Sequence, residues 1–224
     1  MAFTEPMTML TDYVLAILTG LLAVSLFRVG HARGQTSVRL WAGAFLAIAA
    51  TALVGGTYHG SGHILSERIL EGLWKMTMYI SGFISFFMLM AAVVACLSRR
   101  WHSWILGVTI IKLLLYLVWV STHDEFRFVI YDYGSAMFLV LCLYGIALFR
   151  FSQRGSLWVI AGLLLSVVAA ALQRSGIDLS PHFNHNDLYH VVQMAAIYLL
   201  YKGVLKSPWD SSKETWSKPM GECS

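Results

Sequence analysis

The sequence predicts an all-α polytopic membrane protein, a bundle of seven transmembrane helices. Hydrophobic residues make up 58% of the 224 residues, charged residues make up only 12%, and long apolar segments recur along the chain. A soluble domain is about 45–50% apolar and about 25% charged. Half the usual charge cannot cover a water-exposed surface, so a bilayer is the expected solvent.

Seven segments are long and apolar enough to cross a membrane, since a spanning helix needs about 20 mostly apolar residues. They cover residues 8–27, 40–58, 75–97, 104–120, 128–149, 157–172 and 188–204. We assign residues 1–206 to one transmembrane domain and residues 207–224 to a polar, flexible tail. No internal repeat and no soluble domain is visible in the sequence.

Charge in the short loops predicts the orientation, because Lys and Arg gather in cytoplasmic loops. Seven crossings place the basic loops on one side, so the N-terminus is expected outside and the C-terminus in the cytoplasm. Glu5 and Asp12 stand where a cleaved signal peptide carries Lys or Arg, so no cleaved signal peptide is expected. The lack of eukaryotic targeting signals makes a bacterial inner membrane the expected location. The basic positions are Arg28, Arg33, Arg39, Arg99, Arg100, Arg150, Arg154, Lys202 and Lys206, and the opposite loops hold Glu67, Glu71, Asp124, Glu125, Asp178 and Asp187.

Histidines and carboxylates lie at the predicted outer ends of several segments. Ionisable side chains within apolar helices are costly and usually functional. Imidazole with carboxylate is the usual ligand set for zinc, and it also suits iron or copper. The sequence therefore predicts a zinc site with His59, His185 and His190 as ligands, His63 as a substitute ligand, and Asp187, Asp132 and Glu71 as acid–base or ligand-orienting groups.

The seventh segment begins with a run of polar residues, and their spacing limits which of them can bind the same zinc ion. His185 and His190 are five residues apart, about 140° around a helix, so both reach one metal only if His185 precedes the helix. Asn184 or Asn186 is expected to cap the helix N-terminus. Asp187 and His190 are three residues apart and share one helix face.

Lys112 lies inside the fourth apolar segment, where a charge needs a partner. We expect it to pair with an acid such as Asp132, as a structural contact. A retinal Schiff base is not expected, because a rhodopsin carries its lysine in the middle of helix seven, and Lys202 stands at the end of that segment.

These residues resemble the seven-helix membrane hydrolase superfamily that includes alkaline ceramidases and progestin/adipoQ receptors. Its members bind zinc through a His late in helix two, an acid near helix three and two His in helix seven. Residues 55–59 (GGTYH) look like the helix-two element, Glu71 is placed like the acid, and residues 185–190 (HNDLYH) look like the helix-seven element. The chain differs in having Gly55 for a Ser, Glu for Asp, and one extra residue between the paired His. The resemblance implies zinc-dependent hydrolysis of a lipid amide or ester.

Two other functions fit the same residues. A haem or copper protein with His ligands would use the histidine layer for redox chemistry or binding, and its colour would reveal it. A transporter or receptor would use the layer as a gate or proton site, although a transporter commonly shows repeats. Membrane lipids are the expected partners, and a net charge of +4 does not indicate nucleic acid binding.

Overall fold

The computed structural model describes residues 3–151, 154–180 and 182–206, so the predicted tail lies outside the described residues. The described part contains seven α-helices, which confirms the all-α, seven-helix prediction. A single 3-10 turn, Arg99–Trp101, precedes the fourth helix. The helices are α1 (Pro6–Ala32), α2 (Thr36–Gly60), α3 (Glu67–Cys96), α4 (His102–Thr122), α5 (Arg127–Phe151), α6 (Arg154–Ser175) and α7 (His185–Lys206).

All seven helices are long and apolar enough to cross a membrane, and by length and composition they fit an integral membrane protein. Each is longer than the segment predicted for it, because the helix continues into its polar flanks. α1 begins at Pro6, where proline is favoured because the first helical residue needs no N–H partner. α3 begins at Glu67, eight residues before the predicted start.

The helices pack in a cycle rather than in a row. α1, α2, α3, α5, α6 and α7 each contact the next, and α7 returns to contact α1. α4 packs against α3 outside this cycle. Its most apolar stretch is only 17% buried, compared with 72% for α3, so α3 is the central helix and α4 the peripheral one.

Successive helices run in opposite directions, which gives the bundle two chemically different ends. The "acidic end" holds the start of α1 and the end of α2, where the Thr4 N–H donates to the Gly60 carbonyl. The "basic end" holds the ends of α1 and α7, where Arg33 donates to the Leu205 carbonyl. All described carboxylates lie at the acidic end: Glu5, Asp12, Glu67, Glu71, Asp124, Glu125, Asp132, Asp178 and Asp187.

Two kinds of close contact stabilise the packing of the helices, one between α6 and α7 and one between α2 and α5. Gly203 on α7 faces the Val159 backbone, and a methyl group there would lie 2.6 Å from the Val159 nitrogen. Between α2 and α5, the Trp41 indole N–H donates to the Tyr144 hydroxyl at 3.1 Å. Small residues that let backbones approach, together with buried hydrogen bonds, are the usual means of helix association in lipid.

Candidate functional site

A buried polar cluster lies between α1 and α7 at the acidic end. The His190 imidazole has Nε2 at 3.1 Å from Asp12 Oδ1 and Nδ1 at 2.9 Å from Thr11 Oγ1. The same Thr11 oxygen lies 3.3 Å from Asp187 Oδ1. All four side chains are buried. We call Thr11, Asp12, Asp187 and His190 the "α1–α7 cluster"; it is a continuous hydrogen-bonded chain from one carboxyl group to another.

The donors and acceptors among the side chains of the α1–α7 cluster can be exchanged. The Thr11 hydroxyl has one proton, and its neighbours include the Thr8 carbonyl at 3.1 Å as well as Asp187 and His190. With the imidazole proton on Nε2, His190 donates to Asp12 and accepts from Thr11. With the proton on Nδ1, His190 donates to Thr11, whose hydroxyl turns to Asp187, and a protonated Asp12 then donates to Nε2. The cluster can therefore relocate a proton without moving its heavy atoms.

The start of α7 is fixed by a reciprocal cap. Asn184 Oδ1 accepts the backbone N–H groups of Asn186 at 2.8 Å and Asp187 at 3.2 Å, and Asp187 Oδ2 accepts the Asn184 N–H at 2.8 Å. This is a capping box with Asp in the third position, and it confirms Asn184, one of the two residues predicted to cap α7. Asn184 Nδ2 also donates to Thr8 Oγ1 at 3.3 Å, so the cap anchors α7, and with it His190, against α1.

Glycine on α2 lets α1 approach from the other side. A methyl group at Gly56 would lie 2.8 Å from Asp12 Cβ and 3.0 Å from the Tyr13 ring, closer than van der Waals contact allows. At Gly55 the nearest atom, Asp12 Oδ2, would be at an ordinary 3.7 Å. Tyr13 also bonds α2 directly, with its hydroxyl 3.1 Å from Thr57 Oγ1. Gly56 thus sets the distance at which Asp12 is held.

His59 lies at the mouth of the site rather than inside the cluster. Its Nδ1 is 3.1 Å from Glu5 Oε2, with the two side chains 23% and 41% exposed. The Glu5 N–H donates to the His59 carbonyl at 3.2 Å, which ties the segment before α1 to the end of α2. Glu5 directly precedes α1, about two helical turns before Asp12. The pair therefore adjoins the cluster on its more exposed side.

The other two predicted ligands lie apart from this cluster. α2 ends at Gly60, so His63 lies in the following turn and is exposed. His185 is the first residue of α7, and its Nδ1 is 2.9 Å from Asp178 Oδ1. Hydrogen bonds from the His185 ring and backbone hold the pKa of the Asp178 carboxyl below its usual range. Among the described residues, no three His, Cys, Asp or Glu side chains are grouped to hold a metal ion, so the zinc ligand set stays a prediction.

The predicted acid–base residues are also divided. Asp187 belongs to the α1–α7 cluster, whereas Glu71 is exposed in the first turns of α3. Asp132 lies on α5, where the Lys112 ammonium from α4 donates to its carboxylate and to its carbonyl oxygen. The expected pairing of Lys112 is therefore present, and it joins the peripheral helix to α5 beside a crevice that also contains Gly82.

Asp12, Thr11 and Glu5 are the site residues that the sequence interpretation missed. In the sequence, Asp12 indicates only that the first apolar segment is not a cleaved signal peptide. A stronger signal was available, because an aspartate in the seventh position of an apolar helix demands a partner. Thr8, Thr11 and Asp12 are also spaced three and four residues apart, on one helix face.

The fold and the cluster together define a class of protein: a seven-helix integral membrane protein with a buried carboxylate–imidazole centre. Within this class, the chain belongs to a family of unknown function, DUF6962, whose model matches residues 7–208. That range covers all seven helices apart from Pro6, the first residue of α1, and it includes the whole α1–α7 cluster. No curated protein and no solved structure matches the chain. The resemblance to the ceramidase and progestin/adipoQ receptor superfamily stays a prediction, because no match names it.

Proposed function

We propose that the protein is an intramembrane hydrolase that cleaves an amide or ester of a lipid. In this proposal Thr11 is the nucleophile, His190 the general base and Asp12 the group that orients it. One observation carries the proposal: the His190 imidazole is held between the Asp12 carboxylate at 3.1 Å and the Thr11 hydroxyl at 2.9 Å. A nucleophile within hydrogen-bond reach of a base, with that base held by a third group, is the signature of nucleophilic catalysis.

The chemistry follows from the two nitrogens of His190. Nδ1 accepts the Thr11 proton as Oγ1 bonds to the lipid carbonyl carbon, and the imidazolium is stabilised by the Asp12 carboxylate at Nε2. His190 then gives this proton to the departing amine or alkoxide. Water hydrolyses the acyl-threonine ester and restores the hydroxyl. Asp187, 3.3 Å from Thr11 Oγ1, positions the hydroxyl between turnovers.

The depth of the cluster suits a lipid substrate. Thr11 and His190 are the sixth residues of α1 and α7, which places them about 8 Å from the helix starts. A bilayer is about 40–45 Å thick with a hydrocarbon core of about 30 Å, so this depth corresponds to the boundary between headgroups and hydrocarbon. Lipid ester and amide carbonyls lie at that boundary. Under the proposed topology, with the N-terminus outside, the site serves the outer leaflet.

Zinc fits the acidic end by donor type but not by arrangement. Two imidazoles and three carboxylates lie in or beside the α1–α7 cluster, yet His190 has both nitrogens engaged and His59 faces Glu5. A zinc ion needs nitrogen ligands at about 2.0–2.1 Å around one point, and the described residues form no such group. No step of the proposed reaction therefore passes through a metal.

Hydrolysis by purified variants tests the proposal. We expect Thr11→Ala and His190→Ala to lower the cleavage of fluorogenic lipid amides and esters by about 10³-fold or more, while Thr11→Ser retains cleavage. Thr19→Ala is the matched control, because Thr19 is also a buried threonine of α1 and lies outside the cluster. Cleavage by Thr11→Ala at the wild-type rate, or no cleavage of any substrate by the wild type, would overturn it.

A further inference from the structure

Two lysines of α7 share one indole ring of α6 at the basic end. Lys202 Nζ lies 4.3 Å from the centre of the Trp158 ring, and Lys206 Nζ lies 4.9 Å from it. Lys202 also lies 5.5 Å from the Tyr198 ring. Like charges four residues apart on a helix repel each other, whereas each ammonium is attracted to an aromatic face. The aromatic rings therefore hold two cations together.

This positive charge has no carboxylate partner among the described residues. Neither lysine is within ion-pair distance of a described Asp or Glu, all of which lie at the acidic end. Arg33, from the turn after α1, adds a third cation because its Nη1 donates to the Leu205 carbonyl at 3.1 Å, next to Lys206. The α7 dipole offers only about half a negative charge in return. Among the described residues, these three cations therefore have no carboxylate in an ion pair with them.

We propose that Trp158, Lys202, Lys206 and Arg33 bind the phosphate of one anionic phospholipid. A phosphodiester carries one negative charge and oxygens that accept hydrogen bonds from several ammonium and guanidinium groups. The position favours a lipid over a free ion, since tryptophan near a helix end marks the level of the headgroups. Basic pockets between helices at the cytoplasmic side are known to receive such headgroups.

Lipid retention by the full chain tests the site. Native mass spectrometry would compare wild type, Lys202→Gln with Lys206→Gln, and Arg99→Gln with Arg100→Gln, each with phosphatidylglycerol and with phosphatidylcholine. The control pair removes the same charge from the same end, away from Trp158. We expect one retained phosphatidylglycerol in the wild type and the control, and an affinity about 30-fold weaker in the lysine variant.

Charge-preserving and competition measurements complete the test. Lys202→Arg with Lys206→Arg is expected to retain the lipid, which separates lost charge from misfolding. Equal weakening in the arginine control would overturn the proposal, because the effect would then belong to the whole basic end. Displacement of the lipid by millimolar inorganic phosphate would overturn the assignment to a lipid. Equal retention of phosphatidylcholine, or no retained lipid in the wild type, would overturn it as well.

Discussion

The contact between Gly56 and Asp12 predicts that one methyl group will disturb the whole α1–α7 cluster. Gly56→Ala would place a carbon 2.8 Å from Asp12 Cβ, whereas carbon atoms pack at about 3.5–4.0 Å. α1 must therefore retreat by about 0.7 Å at this point. The Asp12–His190 contact is 3.1 Å, and a shift of α1 of that size can change it by as much as about 0.7 Å, which takes it out of the normal hydrogen-bond range in either direction.

The energetic effect can be separated from helix propensity by using the neighbouring glycine. Overpacking a tight site costs about 1–3 kcal/mol, while alanine is favoured over glycine in a helix by about 1 kcal/mol. Gly55→Ala gains the same helix propensity but causes no steric clash with α1, because its methyl group would lie at an ordinary 3.7 Å from Asp12 Oδ2. The free energies of unfolding of the two variants should therefore differ by about 1–3 kcal/mol, with Gly56→Ala the less stable.

Unfolding in mixed detergent micelles and lipid hydrolysis measure the two consequences. We expect Gly56→Ala to lower the rate of hydrolysis about tenfold or more, since a misplacement of about 1 Å can cost about 10²-fold, and Gly55→Ala to remain near the wild-type rate. Equal stability of the two variants would refute the packing argument. A stability difference with equal rates would refute the role of Asp12 in positioning His190.

Three other parts of the molecule give further predictions. The pKa of Asp178 is lower in the folded protein than in the unfolded chain, so the contact of Asp178 with His185 stabilises the fold at pH values above the unfolded-state pKa. This stabilisation is lost as the pH falls through the folded-state pKa, and the Tm difference between wild type and Asp178→Asn should therefore shrink below about pH 4. Lys112→Leu leaves a buried carboxylate at Asp132 and should cost about 3–5 kcal/mol in unfolding free energy, most of it recovered when Asp132→Leu is added. By plasma mass spectrometry and visible spectroscopy, we expect metal far below one ion per chain in both wild type and His190→Ala; near-stoichiometric zinc lost in the variant would instead support the zinc-dependent hydrolase, and a Soret band or copper a redox protein.

Features set by a few neighbouring residues could be predicted from the sequence. Hydropathy predicts the positions of all seven helices, because an apolar segment long enough to cross a membrane can adopt few structures other than a spanning helix. The Asn184 cap was predictable because its partners, Asn186 and Asp187, are within three residues. The pairing of Lys112 with Asp132 was predictable because both lie inside apolar segments that follow each other.

Features set by helix ends and helix neighbours were not predictable in the same way. His63 would share a face with His59 only if α2 continued past Gly60, and the helix ends there. The contact between Thr11 and His190 spans 179 residues. Nothing in the periodicity of α1 reveals that its second neighbour is α7, so Asp12 had no visible partner in the sequence.

The packing of α7 against α1 has a physical explanation, and that explanation leads to a further test of the proposed function. Apolar faces are interchangeable in lipid, so association depends on packing and polar contacts. The α1–α7 cluster provides such contacts, yet replacing both partners of a buried hydrogen bond by apolar residues of similar size is often nearly neutral for stability. If the cluster is kept for catalysis, Asp12→Leu with His190→Leu should match or exceed wild-type stability without activity, while Asp12→Leu alone leaves a buried imidazole N–H without a partner and should cost about 1–3 kcal/mol. A double variant as unstable as the single one would show that the cluster is primarily a structural joint between the first and last helices.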